Sequence, residues 1–281
     1  MINKNGFTLI ALLFVLLVLV FIFAFLLYVF SKSLVAQNNL QLDRQLIESY
    51  EKTNFDNEMI EKENNYSSTI SPTNTDQFLP KSKYPVHKGI TATVFWVGEP
   101  VGNGSSEDNS ISAWDDEWLK NYGGYDDPIN RNGYYPAGFK PLQNPFYLDL
   151  PYNDFDWNGK RKDNAYKVVP WAKEKVWGER ESMMKNRWVK ISKDGITCYG
   201  QIQDAGPYEY DDHEYVFGGK PPKNKLANNA GMDVSPALRD CLKFNGINNA
   251  ENKVDWQFVD EEDVPDGPWK EIVTTSQVNW K

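Results

Sequence analysis

The reactive side chains of this sequence are mostly carboxylates. Asp204 follows the strand-like run Ile196–Gln203 and precedes Ala205-Gly206-Pro207, which turns the chain away. A carboxylate at such a strand end can protonate a leaving oxygen where burial raises its pKa. Asp233 stands just before Ser235-Pro236, at the start of a predicted helix. There it can serve chemistry, or it can satisfy orphan N–H groups and the helix dipole, which is the simpler reading. Asp149 and Asp154, in YLDLPYNDFD, are candidates for a second carboxylate of the kind glycoside hydrolysis uses. Their simpler reading is loop solvation and capping.

Aromatic side chains are the second resource. The chain has 10 Trp, and Trp96, Trp114, Trp118, Tyr122, Tyr125, Tyr147, Tyr152 and Trp157 crowd one stretch. Flat rings pack on the C–H faces of sugars, so Trp96, Trp114, Tyr147, Tyr152 and Tyr208 are the candidate substrate-binding residues. Acidic clusters at Asp115-Asp116-Glu117, Asp126-Asp127 and Asp211-Asp212-His213-Glu214 lack EF-hand spacing and read as solvated surface. Two His and two Cys leave little room for a multi-ligand metal site, and none is expected; His87 falls in an exposed linker. No G-x-S-x-G, P-loop or dinucleotide fingerprint occurs, so no cofactor is expected. Cys198 and Cys241, 43 positions apart, are a disulfide candidate; two buried thiols are the open alternative.

These residues must be held by short strands. The runs Ile90–Val97, Trp188–Ile191, Ile196–Gln203, Val254–Val259 and Glu271–Thr275 alternate with turn signals, and Lys193-Asp194-Gly195 marks a hairpin over Arg187–Gln203. Ser235–Phe244 is the best helix, with Asp233 and Ser235 as candidate caps and Gly246 past its end. Several strands and one short helix predict a small barrel with long decorating loops. The net charge of −9 over 281 residues excludes a nucleic-acid partner, since phosphate binding needs clustered Lys and Arg. A mean hydropathy of −0.60 excludes a polytopic membrane protein.

One segment departs from those averages. Phe7–Phe30 is a run of 24 uncharged residues. At about 1.5 Å per residue it spans roughly 36 Å, enough for one transmembrane helix. Flanking charges do not settle its orientation; the export-like character of the domain C-terminal to it places the N-terminus in the cytoplasm. The expected layout is a transmembrane anchor over 1–30, a polar stalk and linker over 31–87, and a folded extracytoplasmic domain over 88–281, in the periplasm or at the cell surface. Asn5-Gly6-Phe7-Thr8-Leu9-Ile10 resembles a type IV prepilin leader, although the glutamate of that family is replaced by Ala11.

The folded part resembles the double-psi β-barrel of the rare-lipoprotein-A-like and expansin-like proteins. The resemblance rests on Gln203-Asp204-Ala205-Gly206-Pro207-Tyr208 and Gly231-Met232-Asp233-Val234-Ser235-Pro236-Ala237, then Leu242 and Gly246. Thr91–Gly98, Phe146–Tyr152, the hairpin Arg187–Asp204 and Val254–Val259 extend it, with gaps, over 91–260. It implies a mainly β fold: a six-stranded double-psi barrel with a short helix and long aromatic-rich loops, preceded by one transmembrane helix. It also implies that Asp204 is a catalytic acid and that Asp233 lies close to it. The family's arginine is Ala205 here and its histidine falls near Tyr147, so the machinery is incomplete.

The expected function is that of a membrane-anchored envelope protein that binds, and in the enzyme reading cleaves, cell-wall polysaccharide such as peptidoglycan. The alternatives are a non-catalytic expansin-like binding module and a pilin-like structural protein with an envelope protein as partner.

Overall fold

The computed structural model describes residues 83–102 and 108–281. The membrane segment, the leader and most of the stalk expected from the sequence lie outside the described residues. Among the described residues no helix is long and apolar enough to cross a membrane.

Six strands close into a barrel. They are β1 (His87–Val94), β4 (Tyr147–Leu150), β5 (Trp188–Lys193), β6 (Ile196–Ala205), β7 (Met232–Val234) and β8 (Lys253–Val259). Around the barrel the order is β1-β7-β4-β6-β5-β8. Two pairings are parallel, β1 with β7 and β4 with β6. The other four are antiparallel. A separate two-stranded ribbon pairs β2 (Arg131–Asn132) with β3 (Tyr135–Pro136).

Local chemistry explains the clearest elements. β5 and β6 form the expected hairpin, and Asp194 and Gly195 both adopt positive φ, 48° and 82°. That is the two-residue turn whose twist matches paired strands. In β8, Val254, Trp256 and Phe258 alternate inward with partly exposed neighbours, the period of a half-buried strand. The predicted helix is α4 (Pro236–Cys241), preceded in the chain by α1 (Trp118–Tyr122), α2 (Ala165–Val168) and α3 (His213–Val216). The Ser235 side chain accepts from the Leu238 N–H at 3.2 Å, so Ser235 is the cap and Asp233 is left to β7. Cys198 in β6 and Cys241 in α4 form a disulfide, which closes the open alternative. Its 43-residue separation corresponds to about 4 kcal/mol of stabilisation in the chain-entropy model.

Three expectations need correcting. Glu271–Thr275 forms no strand. The Gln201 side chain takes the place of a pairing strand: its Oε1 accepts from the Thr274 N–H at 2.9 Å and its Nε2 donates to the Thr274 carbonyl at 3.1 Å. His87 is not in an exposed linker; it opens β1, is buried, and stacks on Trp256 with ring centroids 3.9 Å apart. The acidic clusters are not uniformly solvated, because Asp115, Asp126 and Asp212 turn inward and are buried. Each is hydrogen-bonded: Asp115 by Asn121 and Asn279, Asp126 by Arg131 and Tyr147, and Asp212 by the Lys223 N–H.

The insertion after β1 carries a small core of its own, whereas the apolar side chains of the insertion after β4 join the main barrel core. Phe95 and Val97 pack with Trp118, Tyr122 and Tyr147 under the loop that follows β1. The segment after β4 is pinned by Asp154, which accepts from Arg161 at 2.5 Å, from the Ser182 hydroxyl at 2.6 Å and from the Met183 N–H at 2.8 Å.

Candidate functional site

The strand register assembles a row of carboxylates. On β4, Asp149 sits opposite Asp204 of β6 and also opposite Asp233 of β7. Asp233 in turn sits opposite Thr93 of β1. Directly opposed residues share one face of a sheet. Asp204, Asp149, Asp233 and Thr93 therefore cross four adjacent strands in one row. A register irregularity between Leu148 and Asp149 brings Asp204, instead of Gln203, into line with Asp149.

The row opens into a small cavity of about 100 Å³, which Glu99 also lines, from the loop after β1. Glu99 is buried; its Oε2 accepts from the Asn109 amide at 3.2 Å, and its backbone is tied to Trp96 and Asn109. Tyr208 and Asn109 complete much of the wall, and no Lys, Arg or His among the described residues lines it. Gly206 is required for the packing here. A Cβ on it would lie 2.7 Å from Asp149 Oδ2.

The carboxylates are held differently. Asp204 Oδ1 accepts two backbone N–H groups, from Ala113 at 2.7 Å and Ala205 at 2.8 Å. Asp149 Oδ1 accepts the Asp233 N–H at 2.8 Å. The Thr93 hydroxyl donates to Asp233 Oδ1. Burial pushes Asp233 up to about 6, against the lowering effect of that hydroxyl. Burial, with the neighbouring charge of Asp233, pushes Glu99 up to about 7, against the lowering effect of Trp96 and Asn109. Two acids in one poorly solvated pocket cannot both ionise cheaply, so a proton stays in the site near neutral pH.

A wider groove of about 930 Å³ lies beside this cavity. Asp204 and Tyr210 line both. Among the described residues, no set of three or more His, Cys, Asp or Glu converges to hold a metal ion.

Neither a protein-family model nor a curated protein matches this sequence.

Of the residues singled out in the sequence, Asp204, Asp233 and Tyr208 come together at the cavity. Trp96 is partly exposed and donates its indole N–H to the Tyr125 hydroxyl at 2.9 Å. Trp114, Tyr147 and Tyr152 are fully buried and offer no ring face to a ligand. The Trp114 indole donates to Asn153 Oδ1 at 3.1 Å. The Tyr147 hydroxyl accepts from the Val97 N–H at 2.9 Å and donates to Asp126 Oδ2 at 2.8 Å, and Tyr147 does not line the cavity. The Tyr152 ring packs edge-on against Phe217, centroids 5.1 Å apart. Asp149 belongs to the carboxylate row, not to a solvated loop, and Asp154 is a buried structural anchor. Sequence reasoning missed Glu99 altogether: Gly98-Glu99-Pro100 after an apolar run carries no signal of its own.

Proposed function

We propose that this protein is a cell-envelope glycan-binding protein whose carboxylate row cleaves glycosidic bonds, on a barrel of the double-psi type. The observation that carries the proposal is the pairing of Asp149 with both Asp204 and Asp233 at a cavity that also takes in Glu99. The two parallel pairings in an otherwise antiparallel six-stranded barrel fit the double-psi assignment. An envelope location agrees with the disulfide and with the apolar run Phe7–Phe30.

Bond cleavage needs a carboxyl that still carries a proton and a carboxylate that faces developing positive charge. The raised pKa values of Glu99 and Asp233, which keep a proton in the site near neutral pH, make that pair the proton source. Asp204, anchored through two N–H bonds to Oδ1, is the acceptor whose charge opposes the oxocarbenium-like sugar. The proton passes to the glycosidic oxygen, the C1–O bond breaks, and the leaving sugar departs as an alcohol. If the sugar's own C6 hydroxyl then attacks C1, its proton returns to the pair and an anhydro-sugar forms; water instead gives hydrolysis.

The test is mass spectrometry of soluble products from peptidoglycan sacculi incubated with the full-length protein in detergent. Release is expected from the parent, with loss in Glu99→Gln and Asp233→Asn and a large reduction in Asp204→Asn. Sedimentation with sacculi but no release would make the protein a binding module. The burial of Tyr147 and the uncharged Ala205, where the family it resembles has histidine and arginine, favour that second reading over cleavage, and Ala11 in place of the leader glutamate weakens a pilin-like role. The absence of both release and sedimentation would refute the glycan reading.

A further inference from the structure

The groove beside the carboxylate cavity has an unusual rim. Trp157 is 87% exposed, although it is among the largest apolar side chains in the protein. Leaving an indole in water forfeits the burial of a large apolar surface, so its position asks for a reason. Nor does it hang on a loose loop. Asp156 Oδ1 accepts from the Asn158 and Lys160 N–H groups, both at 2.9 Å, and the backbone of Asp156 bonds to Gly159 and Lys160. The Tyr210 ring supports the indole edge-on at 5.2 Å. Below the turn, Trp280 packs against Gly159, where a Cβ would come within 3.1 Å of its ring. The indole is thus presented to solvent by a braced turn.

The same braces reach the carboxylates. The Trp280 indole donates to the Ala113 carbonyl at 3.1 Å, and the Ala113 N–H donates to Asp204 Oδ1 at 2.7 Å. One residue's backbone therefore links the groove wall to the row. Tyr210, which supports Trp157, lines both cavities, and so does Asp204. A cavity of about 100 Å³ has room for the reacting part of one ring, whereas one of about 930 Å³ lies at the upper end of ligand sites and suits several units of a chain.

We propose that the wide groove holds the polysaccharide strand that enters the carboxylate cavity, with the Trp157 indole as the stacking platform for a pyranose ring one or more units from the scissile bond. This inference rests on the glycan reading above and adds the residue and the groove that hold the chain. The platform chooses flat C–H faces and carries no charge, so it serves affinity and register more than the bond-breaking step.

The experiment measures sedimentation isotherms of the full-length protein, in detergent, on peptidoglycan sacculi, for the parent, Trp157→Ala, Trp157→Phe and Val176→Ala. Val176 is 95% exposed and lines neither cavity, so V176A controls for loss of a surface apolar group. W157A is expected to bind about tenfold more weakly, the loss of one ring-stacking contact, with its thermal midpoint unchanged. W157F should recover most of that loss, and V176A should bind as the parent does. In the parent, sacculi should shield the exposed indole from acrylamide quenching; this component should be missing from W157F. Equal sedimentation of parent and W157A would overturn the groove assignment and leave the glycan reading standing. No sedimentation and no product release from the parent would overturn both.

Discussion

Replacing Glu99 by glutamine should make the protein more stable at alkaline pH while removing its proposed proton donor. Glu99 ionises at 4.5 when unfolded and at about 7 in its buried place beside Asp233. Below pH 4.5 both states hold the proton and the carboxyl costs nothing. Between 4.5 and 7 the native state binds a proton that the unfolded state has released, so stability falls as pH rises. Above 7 the full difference applies: about 2.5 pH units at about 1.4 kcal/mol each, or about 3.5 kcal/mol. Glutamine keeps the shape and the hydrogen bond to Asn109 and cannot ionise. Urea unfolding of full-length parent and E99Q, followed by tryptophan fluorescence in detergent at pH 4 and pH 8, separates the cases. E99Q should match the parent at pH 4 and exceed it by up to about 3.5 kcal/mol at pH 8, or about 7–14 °C in midpoint for a domain of this size. An E99Q variant no more stable than the parent at pH 8 would show that Glu99 ionises freely in the fold. The proton-source argument would then fail.

Two further predictions concern groups that the chemistry does not use. Burial pushes His87 down to about 4, and its Nε2 has no hydrogen-bond partner among the described residues. The stability it contributes is complete above pH 6.5 and is lost as pH falls to about 4, up to about 3 kcal/mol. His87→Phe, which keeps the stack on Trp256, should flatten that acid limb in the same unfolding assay. Asp154→Ala should destabilise by about 3–5 kcal/mol, because it strands the Arg161 guanidinium, the Ser182 hydroxyl and the Met183 N–H together. A loss below about 1 kcal/mol in a thermal melt would mean that the segment after β4 relaxes around the gap.

What could be seen in the sequence was local. Asp194-Gly195 between alternating residues specifies its own turn, and Ser235-Pro236 specifies a helix start, because the relevant bonds join neighbours. The site was legible only in part because its making is not local. Asp204 and Asp233 were found, yet their common partner Asp149 depends on the register of β4 against β6 and β7, with an irregularity in it. Nothing in YLDLPYNDFD separates Asp149, which joins the row, from Asp154, which binds Arg161. The aromatic residues failed for a related reason. All four residues of β4 are buried, since the insertions cover the face that a bare barrel would expose. Composition counts rings but does not say which are turned inward, so Trp114, Tyr147 and Tyr152 read the same as Trp157.

The carboxylate row also explains why so much of the chain is spent on bracing. Four acids lining one cavity, with no basic residue among the described residues of its wall, oppose folding once they ionise. The elements that carry them are heavily tied. β6 is joined to α4 through Cys198–Cys241. The loop that anchors Asp204 is pinned at Ala113 by Trp280. Glu99 is strapped by its backbone to Asn109. Such ties are what a strained charged site requires, because a looser frame would let water in and return Glu99 and Asp233 to ordinary acidity. Trp280→Ala should therefore shift the turnover-against-pH profile toward lower pH as well as lower the rate, whereas a purely structural loss would lower the rate at every pH alike.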